Sequence, residues 1–218
     1  MSAGALDAKA KMDAIYRRQR VVYDVTRRYY LIGRDRLLAD LHPPAHGAIL
    51  EIGCGTGRNL IRAASLYRNA SLHGLDLSPV MLETARGKIA RSGLQARIAL
   101  AEGDASNFDP RSLFGRAQFD RVVLSYTLSM IPPWQGALAS ALRAVVPGGS
   151  LHVVDFGTQH GHPAWMRHAL RRWLSWFSVH PRDDLASVLR AGAGTDFTVT
   201  LVEGLGGYYT YAAAAARA

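Results

Sequence analysis

Glu51, Gly53, Gly55 and Gly57 fall within ILEIGCGTGRNL, Ile49 to Leu60. A strand-like apolar run enters three glycines and a helical pattern leaves them. Glycine lets a backbone turn tightly and approach a ligand without a Cβ clash. The N-terminus of the following helix offers free N–H groups to a carboxylate or phosphate. The dinucleotide fingerprint G-x-G-x-x-G is not met. Counted from Gly53, Arg58 takes the third glycine's place, and counted from Gly55, Leu60 does. Glu51, two residues before the first glycine, suits a positively charged group better than a pyrophosphate. Asp76, in GLDLS, ends the next strand-like run 25 residues after Glu51. A carboxylate there can accept both ribose hydroxyls. Asp104, in AEGDAS, follows a third such run and is placed to meet an adenine edge. Singly, Asp76 would also serve as a helix cap and Asp104 as a turn residue. Their joint order favours a ligand.

These residues need strands to carry them. Short apolar runs at Ala48–Ile52, Ser71–Leu77, Arg97–Ala101, Phe119–Ser125 and Leu151–Asp155 read as strands. Helical patterns at Arg58–Tyr67, Pro79–Arg91 and Gln135–Val146 alternate with them, the second opened by Ser78 as N-cap with Pro79 behind it. Such alternation predicts an α/β fold with a parallel sheet covered on both faces. It breaks after Asp155 for about forty residues. Phe197–Val202 and Tyr208–Ala212 then flank a glycine-rich link and predict an antiparallel hairpin. Residues 8–31 predict an amphipathic helix whose apolar face includes Tyr16, Tyr23 and Tyr30, and Arg34–Leu41 continues helically to Pro43-Pro44. The chain divides as one domain: a helical cap over 1–45, a core over 46–155, a helical insertion over 156–194 and a terminal hairpin over 195–218.

The ordered set Glu51, Gly53, Gly55, Gly57, Asp76 and Asp104 resembles the class I S-adenosylmethionine-dependent methyltransferases. The resemblance covers roughly residues 46–155 and the terminal hairpin. It implies a Rossmann-like, seven-stranded, mostly parallel sheet with the last strand antiparallel and an N-terminal helical cap. It implies S-adenosylmethionine as cofactor. The glycines and Glu51 would embrace its methionine part, Asp76 the ribose, and Asp104 with Ala105 the adenine. Met81 would pack against the adenosine, and Ser125, at the end of the fourth strand, would join the set. The N-terminal helix would close over the cofactor and bring Tyr30 and Arg34 to its carboxylate, although packing on the sheet edge would equally explain the tyrosine stripe.

The acceptor side is read from the segment after the fourth strand. Nucleic-acid amino-methyltransferases often place Asn, Asp or Ser before Pro-Pro-aromatic there. This chain has Ile131-Pro132-Pro133-Trp134, and Ile131 has no oxygen to accept from an exocyclic amine. The prolines read as the start of a helix. YDVTRRYYLIGRDRL, GCGTGRNL, SYTLSMIPPW, VVDFG and WFSVHPR together resemble the bacterial N-methyltransferases of betaine-lipid synthesis. That resemblance implies threefold methylation of the primary amine of diacylglycerylhomoserine. Phosphatidylethanolamine is the alternative acceptor, and a nucleic acid a more distant one. Tyr126, just beyond the fourth strand, is the candidate catalytic residue, with a buried core tyrosine as the competing reading. Such a reaction is mainly positioning of a neutral amine, and aromatic faces suit the growing ammonium charge. His160 and His162 are candidate proton shuttles or solvated loop residues, and His152 is read as structural.

The chain has 218 residues, of which 49% are hydrophobic and 20% charged, enough for a packed core without disulfides. One cysteine, Cys54, excludes an internal disulfide and reads as a small packing residue; no metal site is expected. Neither a secretory signal nor a membrane-spanning run is read, so a cytoplasmic, peripheral protein at the inner membrane face is expected. The net charge of +9 suits polyanions such as nucleic acid or an anionic membrane surface, and alone does not choose between them. The segment from Pro163 to Val179 combines three tryptophans with arginines, as interfacial helices do. A core-facing lid over the site is the other reading.

Overall fold

A computed structural model describes residues 30–217. Most of the N-terminal helix expected over 8–31, with Tyr16 and Tyr23, lies outside the described residues. Seven strands form one sheet: β1 (Ala48–Ile52), β2 (Ser71–Asp76), β3 (Ile98–Glu102), β4 (Phe119–Ser125), β5 (Val145–Phe156), β6 (Phe197–Gly204) and β7 (Tyr209–Ala216). The helices are α1 (Arg34–Ala39), α2 (Arg58–Leu66), α3 (Pro79–Arg91), α4 (Pro110–Phe114), α5 (Trp134–Arg143), α6 (Ala164–Ser175) and α7 (Leu185–Ala193).

The strand order is β3-β2-β1-β4-β5-β7-β6. The first five strands are mutually parallel, and β7 runs antiparallel to both neighbours, β5 and β6. The expected sheet is therefore observed, including its antiparallel last strand. Chain order reverses between β1 and β4, and in such sheets ligands bind outside the carboxyl ends of strands at that switch. All five residues of β1 are buried, which is why its sequence is a continuous apolar run broken only by Glu51.

Alternate β1 side chains enter two cores. Ile49 joins Leu37, Leu38, Leu60, Leu82 and Ile89 on the face covered by α1, α2 and α3. Leu50 and Ile52 join Leu138, Leu142, Leu185 and Leu189 on the face covered by α5 and α7. The α3 cap is as expected: Ser78 Oγ accepts from the Met81 amide at 3.3 Å, and Pro79 holds the first turn.

The helix expected over Gln135–Val146 is shorter and starts one residue earlier. It ends at Arg143, and Val145 opens β5, which continues through Pro147-Gly148-Gly149. The β4–β5 register shifts there, from Phe119 opposite Val145 to Arg121 opposite Ser150. Two β-branched valines beside an available strand edge favour the sheet over another helical turn. The forty irregular residues contain two helices, α6 and α7, and a short 3-10 turn at Leu128–Met130 follows β4.

Candidate active site

The carboxyl ends of β1, β2 and β4 meet at the glycine loop. Gly53, Gly55 and Gly57 all have positive φ, at 72°, 54° and 73°. The loop is pinned to β2: the amides of Gly53 and Cys54 both donate to the Leu75 carbonyl, at 2.7 and 3.0 Å. The Gly55 amide donates to Asp76 Oδ2 at 2.7 Å, and the Ser78 amide to Asp76 Oδ1 at 2.9 Å. Asp76 thus ties the glycine loop to the start of α3. Space separates the glycines. A Cβ on Gly53 would lie 2.3 Å from the Thr127 methyl, whereas one on Gly55 would meet nothing within 4 Å.

Glu51 is buried at the end of β1. Its Oε1 accepts from Asn59 Nδ2 at 2.7 Å, and its Oε2 has no hydrogen-bond partner. Burial pushes its pKa up to about 8, against the opposing pull of the Asn59 hydrogen bond and the Arg34 charge. Arg34, at the start of α1, is also buried, with Nε donating to the Leu31 carbonyl at 3.1 Å. Ser125, at the end of β4, has a buried hydroxyl without a partner. Met81 is buried in the first turn of α3. Asp104 Oδ1 accepts from the Ser106 amide at 2.8 Å, and Ala105 between them is buried. The Gly103 amide donates to the Asp76 carbonyl at 3.0 Å, which joins the Asp104 turn to β2.

Tyr30 and Tyr126 have other neighbours. The Tyr30 ring stands edge-on to Trp173, with centroids 4.9 Å apart, and stacks more loosely on Phe156. Tyr126 lies just beyond β4 with φ of 55°, its ring edge-on to Phe156 at 4.8 Å. Its hydroxyl donates to the Ile32 carbonyl, and burial pushes its pKa well up. It holds the segment before α1, and its hydroxyl proton is engaged by that carbonyl. Tyr208 acts alike, its hydroxyl donating to the Tyr30 carbonyl at 2.9 Å.

The three histidines singled out from sequence lie around the terminal hairpin. His160 pairs with Glu203 at 3.6 Å and His162 approaches the Gly206 carbonyl at 3.3 Å, so both brace the hairpin tip. His152 is buried between Ser150 and the Tyr211 hydroxyl, each 2.9 Å away. Cys54 is buried against β2, its sulfur close beneath Gly74.

Three residues escaped the sequence reading. Asn59 gives Glu51 its one hydrogen bond, and its position in the second place of the helix after the glycines was the available signal. Thr127 covers Gly53, with Oγ1 donating to the Ile52 carbonyl at 3.2 Å. Asp155, wholly buried at the end of β5, accepts from the amides of Ser129 and Phe156 at 3.0 and 2.8 Å, and burial raises its pKa. It fixes the turn after β4, and no spacing in the sequence marks that contact.

The residues present fit S-adenosylmethionine. The orphaned Glu51 Oε2 suits an ammonium, Arg34 beside it suits a carboxylate, and the open side of Gly55 allows close approach. Comparison with known proteins agrees. The family described as methyltransferase domain matches residues 49–149. Aklanonic acid methyltransferase DauC of Streptomyces sp. (strain C5) is 33% identical over 119 residues, 53% of this chain and 51% of that protein. Phosphatidylethanolamine N-methyltransferase of Cereibacter sphaeroides is 32% identical over 137 residues, 61% of this chain and 64% of that protein. Among solved structures, phosphoethanolamine N-methyltransferase 2 of Haemonchus contortus superposes with a TM-score of 0.70 at 18% identity, over 94% of this chain and 59% of that one. Residues 49–149, from β1 into β5, therefore match a methyltransferase domain, carried on a sheet with the Rossmann-like methyltransferase fold. The chain spans between half and two thirds of the length of these curated relatives.

Proposed function

We propose that the protein is an N-methyltransferase acting on the headgroup amine of a lipid, with diacylglycerylhomoserine as the acceptor. The observation that carries this reading is the acceptor segment after β4. Ser125-Tyr126-Thr127-Leu128-Ser129-Met130 leads to Ile131-Pro132-Pro133, and Ile131 has no side-chain oxygen in the place before Pro-Pro where a nucleic-acid amine would need one. Phosphatidylethanolamine is the second reading, favoured by the similarity to the Cereibacter sphaeroides enzyme. Both acceptors present a primary amine at a lipid surface.

When bound, S-adenosylmethionine supplies an electrophilic methyl group on a sulfonium. In this reading Glu51 and Arg34 hold the amino and carboxylate ends of the methionine part. Asp76 takes the ribose, and Asp104, Ala105 and Met81 frame the adenine. Ser125 offers its unpartnered hydroxyl at the junction of cofactor and acceptor. Tyr126 and Tyr30 act as positioning residues, through a ring face and a tethered backbone, and water accepts the proton lost by the amine. Orientation supplies most of the rate.

The test is transfer of labelled methyl groups by the purified protein to mixed micelles of diacylglycerylhomoserine, to phosphatidylethanolamine micelles, to soluble phosphoethanolamine and to RNA. Label in the first alone supports the betaine-lipid reading, and label in the second alone the runner-up. Label in RNA with none in lipid overturns both.

A further inference from the structure

Helix α6 has two unlike faces. Leu170, Trp173, Leu174 and Phe177 pack against the core, and Trp173 touches Tyr30. Trp165 and Trp176 face outward, 74% and 70% exposed, with Met166 at 40%. The two tryptophans are eleven positions apart, three helical turns, and Trp176 caps α6 with helical dihedral angles, so they share one row with the exposed Ala169 and Arg172. An isolated exposed apolar residue is ordinary, but two tryptophans in one row with an exposed methionine beside the first mark a contact surface.

Within the segment itself the charge is of one sign. Residues 163–179 hold Arg167, Arg171 and Arg172 and no Asp or Glu, on a chain of net charge +9. The structure divides the arginines. Arg171, expected from sequence to meet lipid phosphates, is a clamp: it makes a two-pronged ion pair with Asp183 at 2.9 and 2.6 Å and donates to Gln159 at 3.0 Å. That contact fixes how α6 is rotated on the domain. Arg172 remains in the exposed row.

We propose that the outward face of α6 rests on an anionic lipid bilayer, with Trp165, Met166 and Trp176 at headgroup depth and Arg172 at the lipid phosphates. Among the described residues no helix is long and apolar enough to cross a membrane, so this contact is interfacial. Its purpose rests on the lipid-acceptor reading above, whereas its geometry does not. Trp173, on the inward face, connects the same helix to the Tyr30 segment that leads to Arg34.

The test is co-sedimentation of the full chain with vesicles of phosphatidylcholine mixed with phosphatidylglycerol, and of phosphatidylcholine alone, at low and high salt. Cofactor affinity and lipid methylation in detergent micelles are measured beside it. Wild type is expected to bind the anionic vesicles, less so as salt rises. Trp165→Ala/Trp176→Ala is expected to lose at least about tenfold in partition at every salt concentration. Arg172→Gln is expected to lose about fivefold at low salt only. All three proteins should keep cofactor affinity and micellar turnover. Arg171→Gln should lower thermal stability while leaving vesicle binding of the folded protein unchanged. Vesicle binding by the double variant equal to that of wild type would overturn the proposal. So would a wild-type dimer that the double variant dissociates without any change in vesicle binding, because a second copy would then cover the row. Normal vesicle binding with no lipid labelled in micelles leaves this surface standing and removes the lipid-acceptor reading.

Discussion

Glu51 and Asn59 share one hydrogen bond of 2.7 Å, and it leaves Glu51 Oε2 buried and without a partner. A carboxylate in that state favours its protonated form until a cation arrives. Burial is the first cause of its raised pKa.

This has a consequence for stability against pH. Between 4.5 and about 8 the folded chain keeps a proton on Glu51 that the unfolded chain releases, so stability falls as pH rises through that window. His73 and His152 act oppositely. Burial lowers both to about 4, so the unfolded chain binds protons there that the folded chain does not, and stability rises with pH up to the ordinary imidazole value of 6.5. Above that value the Glu51 contribution continues, and the midpoint temperature is expected to fall toward pH 8. Glu51→Gln should flatten that fall, as thermal melts across the range would show. An equal slope in the variant would remove Glu51 as its cause.

Cofactor binding should expel a proton. An ammonium beside Oε2 restores the charged carboxylate, so near neutral pH Glu51 releases up to about one proton on binding. Calorimetric titration with S-adenosylhomocysteine in buffers of different ionisation enthalpy measures that release directly. Glu51→Gln is expected to bind more weakly and with no release from this site.

Asp76 and Asp104 should differ in what their loss costs. Asp76→Ala removes the acceptor of two amides, those of Gly55 and Ser78, together with the proposed ribose contacts. A stability loss of about 1–3 kcal/mol and a large drop in cofactor affinity are expected. Asp104→Ala removes the acceptor of one amide, that of Ser106, so its stability loss should be smaller. Denaturant melts and cofactor titration on both variants decide this. Unchanged affinity in a folded Asp76→Ala protein would take Asp76 out of the site.

The glycines separate folding from binding. Gly53→Ala combines a φ of 72° with a methyl group pressed onto Thr127, and is expected to cost about 3 kcal/mol or more. Gly55→Ala carries only the strain of its positive φ, about 1–2 kcal/mol, because its side is open. The second variant should therefore fold and yet lose about tenfold or more in cofactor affinity, since its methyl group points into the space assigned to the cofactor. Normal binding by Gly55→Ala would move the cofactor away from that side of the loop.

The sequence by itself determined the sheet and which residues stand at its strand ends. β1 and β4 were legible to the residue, because a buried parallel strand writes itself as a short apolar run between turn residues. The cap of α3 was legible because Ser78-Pro79 is local chemistry. Glu51, the glycines, Asp76 and Asp104 were legible because each stands at a fixed distance from a strand end. Contacts between distant segments were decided only by tertiary structure. Val145 and Val146 fit either a last helical turn or a first strand residue, and the free edge of β4 chose the strand. Tyr126 read as a group beside the acceptor, but the carbonyl of Ile32, 94 residues away, took its hydroxyl. Arg171 read as a surface base until Asp183 claimed it, and Asp155 gave no signal at all. Local pattern fixes which elements form and which residues end them. The partner of a polar side chain is fixed by which remote backbone or carboxylate the completed sheet brings within reach, and that distance exists only after folding.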